Sequence, residues 1–471
     1  MSGGKKLYSQ IFFNHQPLMA YFSLLVQQIT HPQNIYELIL RHRQFMFLVA
    51  FVMDFLIIYR FGLRGVGFAL FFEFSKFYIF GDRFLAEGIV IYFLVYLLGI
   101  VWEKINGKKL SLIDYLSSAV FTVLILALRE PYILVSILMY IAILFGKDQR
   151  KYKTSSFFIF AFLTLMVLLF TPIKEYLFQV VEVNKKIFLE NSPDKEQFYI
   201  RGLKMIFYPI YLYFDGIWNL FRIFLVGLDS IFLIEMVLFI KFFKKIKIIL
   251  MVVLFLALAN SYPPPGLIFY ASFHLVPWYG MFIFLIFLIL SEIFKINKKL
   301  SFSLIFFLMV LLSYLLLSPN SYTKDRVDPH YEFITNYGNT LQIGEVVKVL
   351  SKPNSTLFLD GSEDLIYWQS KLMSPYKYSW YTSFMPSFPI FVQAREEMFK
   401  YNPPDFYYAF CSKDGSISSI PKKQSSKYQQ LYSFGKPTCL FMKRSLISEI
   451  SQDQWKRAKE FKYELPESKK L

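Results

Sequence analysis

From Phe45 to Leu317 the chain repeats one pattern: an apolar run of roughly 16–20 residues, a short polar break, then another run. The pattern stops at Pro319. Runs of that length match the hydrocarbon thickness of a bilayer, where a helix satisfies its own backbone hydrogen bonds. They fall at 44–60, 63–80, 86–102, 111–128, 131–146, 155–171, 223–240, 246–261, 277–294 and 301–318. Composition agrees: of 471 residues, 55% are hydrophobic, 20% aromatic and 18% charged, too little polar surface for a soluble chain. The expected fold is mainly α, a multi-pass helical membrane protein with about ten transmembrane helices. Residues 1–43 form an external segment with an interfacial helix, 44–318 the membrane domain, and 319–471 a small C-terminal α/β domain.

A net charge of +17 would suggest nucleic acid in a soluble protein. Here the cations sit in alternate loops instead: Arg60 and Arg64; Lys104, Lys108 and Lys109; Lys147 to Lys153; Lys241 to Lys247; Lys295 to Lys299. That is the positive-inside signature, so these loops are cytoplasmic, and nucleic acid is not an expected partner. The intervening loops, the interval 172–222 and the tail then lie outside, which places the protein in the cytoplasmic membrane with its C-terminal domain extracytoplasmic. Leu203 to Phe221 is an alternative span. An even number of crossings ending outside must also begin outside, which puts Met1 there and calls either for a first span that re-orients by its flanking charges or, the favoured reading, for a signal-anchor helix upstream.

The segment Lys6-Leu7-Tyr8 to Phe12-Phe13-Asn14-His15-Gln16-Pro17-Leu18 is neither a start signal nor a span. Pro17 to Ile29 is short and amphipathic and suits the interface. Several ionisable groups fall at outer loop positions. Asp82 and Glu87 sit at the mouth of a span, where carboxylates are costly and commonly functional. Their plainer reading is an N-cap at Asp82 and an Arg83–Glu87 pair at i, i+4. Arg41-His42-Arg43 lies just outside the first span and suits headgroups or a phosphate clamp. Arg129-Glu130 opens another helix before Pro131. His274 sits in the aromatic outer belt, where a lone histidine is more often structural than functional. Glu73 and Lys76 pair at i, i+3 within a span, while Asp54, Asp229 and Glu235 are isolated acids.

The tail alternates helix and strand: Leu341–Leu350, Glu363–Lys371, Phe391–Tyr401 and Ser451–Phe461 as helices, with Thr356–Leu359 and Asp405–Phe410 as strands. Tyr428–Phe434 and Thr438–Met442 read as a hairpin across Gly435-Lys436-Pro437. Trp368, Tyr376, Tyr378, Trp380 and Tyr381 form an aromatic patch suited to sugar stacking or to membrane docking. Cys411 and Cys439 are either a disulfide or two buried thiols.

Together these features resemble the GT-C superfamily of polyprenyl-phosphate-sugar-dependent glycosyltransferases, nearest the protein O-mannosyltransferase and aminoarabinose transferase branch. Lys6-Leu7-Tyr8 to Asn14-His15-Gln16-Pro17-Leu18 resembles that branch's lysine-tyrosine segment followed by His-Lys-Pro or His-Pro-Pro, departing from it at Gln16. Asp82 to Ala86-Glu87 resembles its acidic second external loop. The resemblance implies a polyprenyl-phosphate-linked sugar donor, a glycan, lipid or protein acceptor, and inversion at the anomeric carbon. It also implies a first helix and an acid upstream of His15, neither of which this sequence contains. On that basis Asp82 and Glu87 are the catalytic candidates. His15, Arg41, Arg43, Arg83 and Arg129 are candidates for the donor phosphate, with Glu130 and His274 beside them. Asp82 and Glu87 leave a divalent cation open as a cofactor. A flippase for lipid-linked glycans is the alternative, although such proteins place polar groups near the midplane on repeat-related helices and no repeat is visible here. A non-catalytic membrane anchor is the third.

Overall fold

The computed structural model describes residues 1, 4–146, 149–186, 203, 207–214, 218–244, 246–260, 270–321, 331–332, 335–360, 364–378, 388–411 and 419–466. After an irregular segment, α1 (Leu18–Thr30) leads into α2 (Ile35–Phe61), where Asn34 caps the helix by accepting from the Glu37 amide. Next come α3 (Leu63–Ser75), α4 (Glu87–Ile105), α5 (Leu112–Leu128), α6 (Ile133–Leu144) and α7 (Arg150–Leu169). A helical segment, Ile173–Tyr176, continues through a π-helical turn, Leu177–Glu182. Then follow α8 (Leu220–Phe243), α9 (Ile246–Ala259), α10 (Val276–Ile296) and α11 (Lys298–Leu317).

Among the described residues, six helices are long and apolar enough to cross a membrane, and α1, α5, α6 and α9 are shorter apolar helices. Their packing separates two kinds. In α4 and in α10 with the turn before it, 89% and 83% of the apolar window is buried. A helix that is apolar on all faces belongs inside a bundle, and these two form the centre. A Cβ on Gly280 would meet Ile91 Cδ1 at 2.4 Å, so glycine is what lets α10 approach α4. By contrast only 6% of the α7 window is buried, and Phe157, Phe158 and Phe162 are exposed. Large apolar side chains on an outer surface are the mark of a membrane-facing helix.

At the lysine-rich end of the bundle, Arg60 reaches Asp114 and Glu103, each at 2.6 Å, and Lys108 reaches Glu103 at 2.8 Å. Asp114 completes a capping box with Ser111 at the start of α5. These contacts tie α2, α4 and α5 together on the basic side. The sequence-derived pair is present, with Lys76 Nζ 2.5 Å from Glu73 Oε2. The first span differs from expectation: α2 begins at Ile35 rather than near 44, so Arg41, His42 and Arg43 are helical residues on its second and third turns.

The tail forms α12 (Tyr337–Leu350), α13 (Leu365–Ser370), α14 (Pro389–Tyr401) and α15 (Gln452–Glu460) around a mixed sheet. Its strands are β1 (Leu357–Leu359), β2 (Phe406–Tyr408), β3 (Tyr428–Ser433), β4 (Lys436–Lys443) and β5 (Tyr463–Glu464). The order is β1-β2-β4-β3-β5, parallel between β1 and β2 and antiparallel elsewhere. The hairpin turn is Phe434-Gly435, both at positive φ, one residue earlier than the sequence suggests. Cys411 and Cys439 are joined as a disulfide, Cα atoms 5.8 Å apart. A buried pair the sequence does not announce, Arg395 and Asp360 at 2.6 Å, shares Tyr407 as a hydrogen-bond partner.

The aromatic patch resolves differently from expectation. Tyr376 and Tyr378 are buried in a core with Phe358, Phe391 and Tyr407, so they are packing residues rather than a stacking surface. Trp380 and Tyr381 lie outside the described residues. That same core takes in Phe12 and Val183, so the N-terminal segment is part of the tail's packing.

Candidate functional site

The N-terminal segment has no regular structure to satisfy its backbone, and side chains from the Ile173–Glu182 region do so instead. Gln179, 1% exposed, donates to the Tyr8 carbonyl at 2.7 Å and accepts from the Phe13 amide at 2.9 Å. Asn184 donates to the Asn14 carbonyl at 2.6 Å and accepts from the Asn14 side chain at 3.0 Å. The Tyr176 hydroxyl donates to Gln16 at 3.0 Å. Tyr8, itself buried, donates to the His15 carbonyl at 2.7 Å. His15 is thereby fixed with its ring against Phe13, centroids 5.7 Å apart.

The fixed His15 faces Arg129, which ends α5. Arg129 Nη1 is 2.6 Å from His15 Nδ1 and 3.3 Å from Glu130 Oε1, and Arg129 Nε donates to Glu87 Oε1 at 2.9 Å. A guanidinium can only donate, so its short contact needs a lone pair on His15 Nδ1, whereas Glu130 Oε1, 3.5 Å from the same nitrogen, needs a proton there; the ring serves one or the other according to its protonation. On the far side, His274 Nδ1 lies 3.1 Å from Glu87 Oε1 and must carry a proton to make that bond. Tyr132, fully buried, donates to the His274 carbonyl at 3.3 Å. Five groups from four stretches of chain thus converge: His15, Glu87, Arg129, Glu130 and His274.

Glu87 is only 2% exposed. It opens α4, where the free amides and the helix dipole favour a carboxylate. Gly88 behind it holds the preceding loop tight, since a Cβ there would meet the Gly81 carbonyl oxygen at 3.0 Å. Burial alone would push the Glu130 carboxyl up, but its contacts with His15 and Arg129 outweigh that and hold it below the usual glutamate range. Burial would likewise push Arg129 down, and the Glu87 and Glu130 charges more than reverse it, so the guanidinium stays charged. Glu130 Oε2 is buried without a hydrogen-bond partner among the described residues.

Two clefts are lined in part by residues one or two positions along the chain from His15 and Arg129. One of about 140 Å³ is lined by Gln16, Pro17, Ala127, Ile133 and Tyr176. The other, about 400 Å³, shares Pro17 and Ala127 and runs along Met166 and Phe170 of α7. Both are overwhelmingly apolar, and their shared walls are chain neighbours of His15 and Arg129.

Of the sequence candidates, His15, Glu87, Arg129, Glu130 and His274 are brought together. Arg41 is not: it donates to Gln44 on its own helix at 2.9 Å. Arg43 lies half-buried on the same stretch of α2. Arg83 precedes α4 and approaches Asp82 at 3.6 Å, while Glu87 takes Arg129. The expected Arg83–Glu87 pairing is therefore replaced, because Arg83 is not on the helix. Asp82 is not an N-cap either; Ala86 holds that position without a side-chain bond. Among the described residues, no group of three or more His, Cys, Asp or Glu is arranged to hold a metal ion. Tyr132, Gln179 and Asn184 escaped sequence reasoning. For Gln179 and Asn184 the one sequence signal is an amide within or beside a largely apolar run.

No protein family, curated protein or solved structure matches this chain.

Proposed function

We propose that this protein is an integral membrane glycosyltransferase that moves a sugar from a polyprenyl-phosphate-linked donor to an extracytoplasmic acceptor. The observation that carries the reading is the convergence of His15, Arg129 and His274 with two carboxylates, beside apolar clefts, at the end of α4 remote from the basic loops. Glu87 and Glu103 lie at opposite ends of α4, about 24 Å apart at a helical rise of 1.5 Å per residue. A donor with a charged phosphate and a long apolar tail needs both kinds of surface side by side. In this reading ten spans cross the cytoplasmic membrane and the tail lies outside. The resemblance to GT-C enzymes supports the same assignment.

In the step itself, a carboxylate takes the proton from an acceptor hydroxyl or amine. The acceptor atom forms a bond to the anomeric carbon as the carbon–oxygen bond to phosphate breaks, and polyprenyl phosphate leaves. Arg129 and His15 meet the charge that grows on the phosphate. Glu130, whose side chain is 28% exposed, is the carboxylate for the proton. Glu87 is too buried to touch substrate and positions Arg129 and His274.

The test uses purified full-length protein with a radiolabelled polyprenyl-phosphate sugar and envelope extract as acceptor source. Arg129→Ala and Glu130→Gln should each reduce transfer by about 100-fold or more, while Arg41→Gln leaves it unchanged. Undiminished transfer in Arg129→Ala would overturn the reading. Movement of labelled donor across vesicles without transfer would establish the flippase instead.

A further inference from the structure

A third cavity, about 580 Å³, lies between the N-terminal segment, α1 and the tail helix α13. It is lined by Phe13, Ser23, Gln27, Asp364, Trp368 and Lys371, among others, and is more polar than the two clefts. Phe13 forms part of its wall, and the ring of Phe13 packs edge-on against His15 at 5.7 Å. One residue layer therefore separates this cavity from the charged cluster.

Its polar wall is ordered by a directed chain of hydrogen bonds. His42 Nδ1 is 2.8 Å from the Leu38 carbonyl, so that nitrogen carries the proton and Nε2 accepts. Ser23 then donates to His42 Nε2 at 2.9 Å and accepts from Gln27 Nε2 at 3.0 Å. The Gln27 carbonyl in turn accepts from the Trp368 indole at 2.8 Å. A tryptophan of the tail is thus locked in orientation by a residue of α1. Lys371 Nζ sits 3.7 Å from its ring centroid. The lining carries charges of both signs: the Asp364 carboxylate, the Lys371 ammonium and the amine of Met1.

We propose that this cavity is the acceptor site and that it binds a neutral sugar residue. The inference rests on the transferase reading for the word acceptor. Fixed aromatic groups beside an amide and a hydroxyl match the apolar faces and hydroxyl edges of a sugar. Charges of both signs in the wall disfavour a strongly acidic or a strongly basic ligand, since either would be repelled by part of the lining. The Phe13 ring stands between this cavity and His15, which makes the cavity the next site to the cluster.

The test is direct binding, with no donor present, to the purified full-length protein. Free neutral tri- and tetrasaccharides, and the same glycans on a prenyl carrier, are titrated by calorimetry against wild type, Gln27→Ala and Trp368→Phe. Melting temperature controls for folding, and transfer is assayed in parallel. Expected is saturable binding of neutral glycans, weakened about tenfold or more in both variants, as the loss of well-placed hydrogen bonds implies. Tighter binding of the carrier-linked form would identify a lipid-linked acceptor, and equal binding a free glycan; either supports the site. Absence of binding to wild type, or equal binding to all three proteins, would overturn it. Sugar binding as expected with no transfer by wild type would refute the transferase reading while leaving a sugar site here.

Discussion

Glu87 and His274 stand 187 residues apart in the chain and meet at 3.1 Å, Oε1 to Nδ1. Glu87 opens α4 and His274 lies in the turn that leads into α10, so the contact joins the two central helices at one end. Arg129 closes the arrangement from α5, reaching the same Glu87 oxygen at 2.9 Å. The cluster is thus a structural tie between three helices as well as a candidate site, and its chemistry cannot be altered without altering packing.

Removing Arg129 should expose that dual role. Arg129→Ala leaves the Glu87 carboxylate buried with His274 alone, and an uncompensated buried charge costs about 3–5 kcal/mol. The melting temperature in detergent should fall accordingly. Arg129→Ala with Glu87→Gln should be less destabilised than Arg129→Ala alone, because the orphaned charge is gone. Simple additivity of the two substitutions would show that the pair is not coupled.

Tyr8 tests whether His15 acts only when oriented. Tyr8→Phe removes one hydrogen bond to the His15 carbonyl, worth about 1 kcal/mol, and keeps the ring packing on Tyr176. The expected result is a rise of about fivefold in KM for the donor with modest change in melting temperature. An unaltered KM would mean that the segment is held by Gln179 and Asn184 without help from Tyr8.

The long apolar runs made the helical membrane architecture legible, because a bilayer imposes one length on every crossing. Helix ends were less so. Ile35 starts α2 because Asn34 offers a cap, and that local bond outweighs the polar Arg41-His42-Arg43 stretch that looks like a boundary. The site was half legible. Glu87, Arg129, Glu130, His15 and His274 are ionisable groups at outer loops, and cost alone singles them out. Their partners were not, since Arg83 is four residues from Glu87 and Arg129 is forty-two, and only the fold decides between them. The aromatic patch misled at Tyr376 and Tyr378, which are the same residue type whether they stack a ligand or fill a core.

Acid should dismantle the site through Glu130. Its folded pKa is held below the ordinary value of about 4.3, so its contribution to stability is complete above that value and is lost as pH falls through the folded pKa. Wild type should therefore lose its stability advantage over Glu130→Gln below about pH 4 and keep it at neutral pH. Melting temperatures of the two proteins across pH 3 to 7 check this. A constant difference over the whole range would assign Glu130 no net electrostatic role.

The disulfide links the tail's stability to the side of the membrane on which it folds. β2 and β4 are neighbours in the sheet, and the Ala409 amide donates to the Cys439 carbonyl at 2.8 Å, which brings Cys411 within bonding reach. With the two cysteines 28 positions apart in sequence, closing that loop in the unfolded chain is worth about 3–4 kcal/mol. Cys411→Ser with Cys439→Ser should lower the tail's resistance to proteolysis by the same margin as reductant does on wild type. Such bonds persist in oxidising compartments and not in the cytosol. In intact cells both thiols should therefore resist alkylation until a reductant is added. Ready labelling of unreduced Cys411 and Cys439 would place the tail on the cytoplasmic side, against the direction that the lysine-rich loops give, and the proposed external site would then face the wrong compartment.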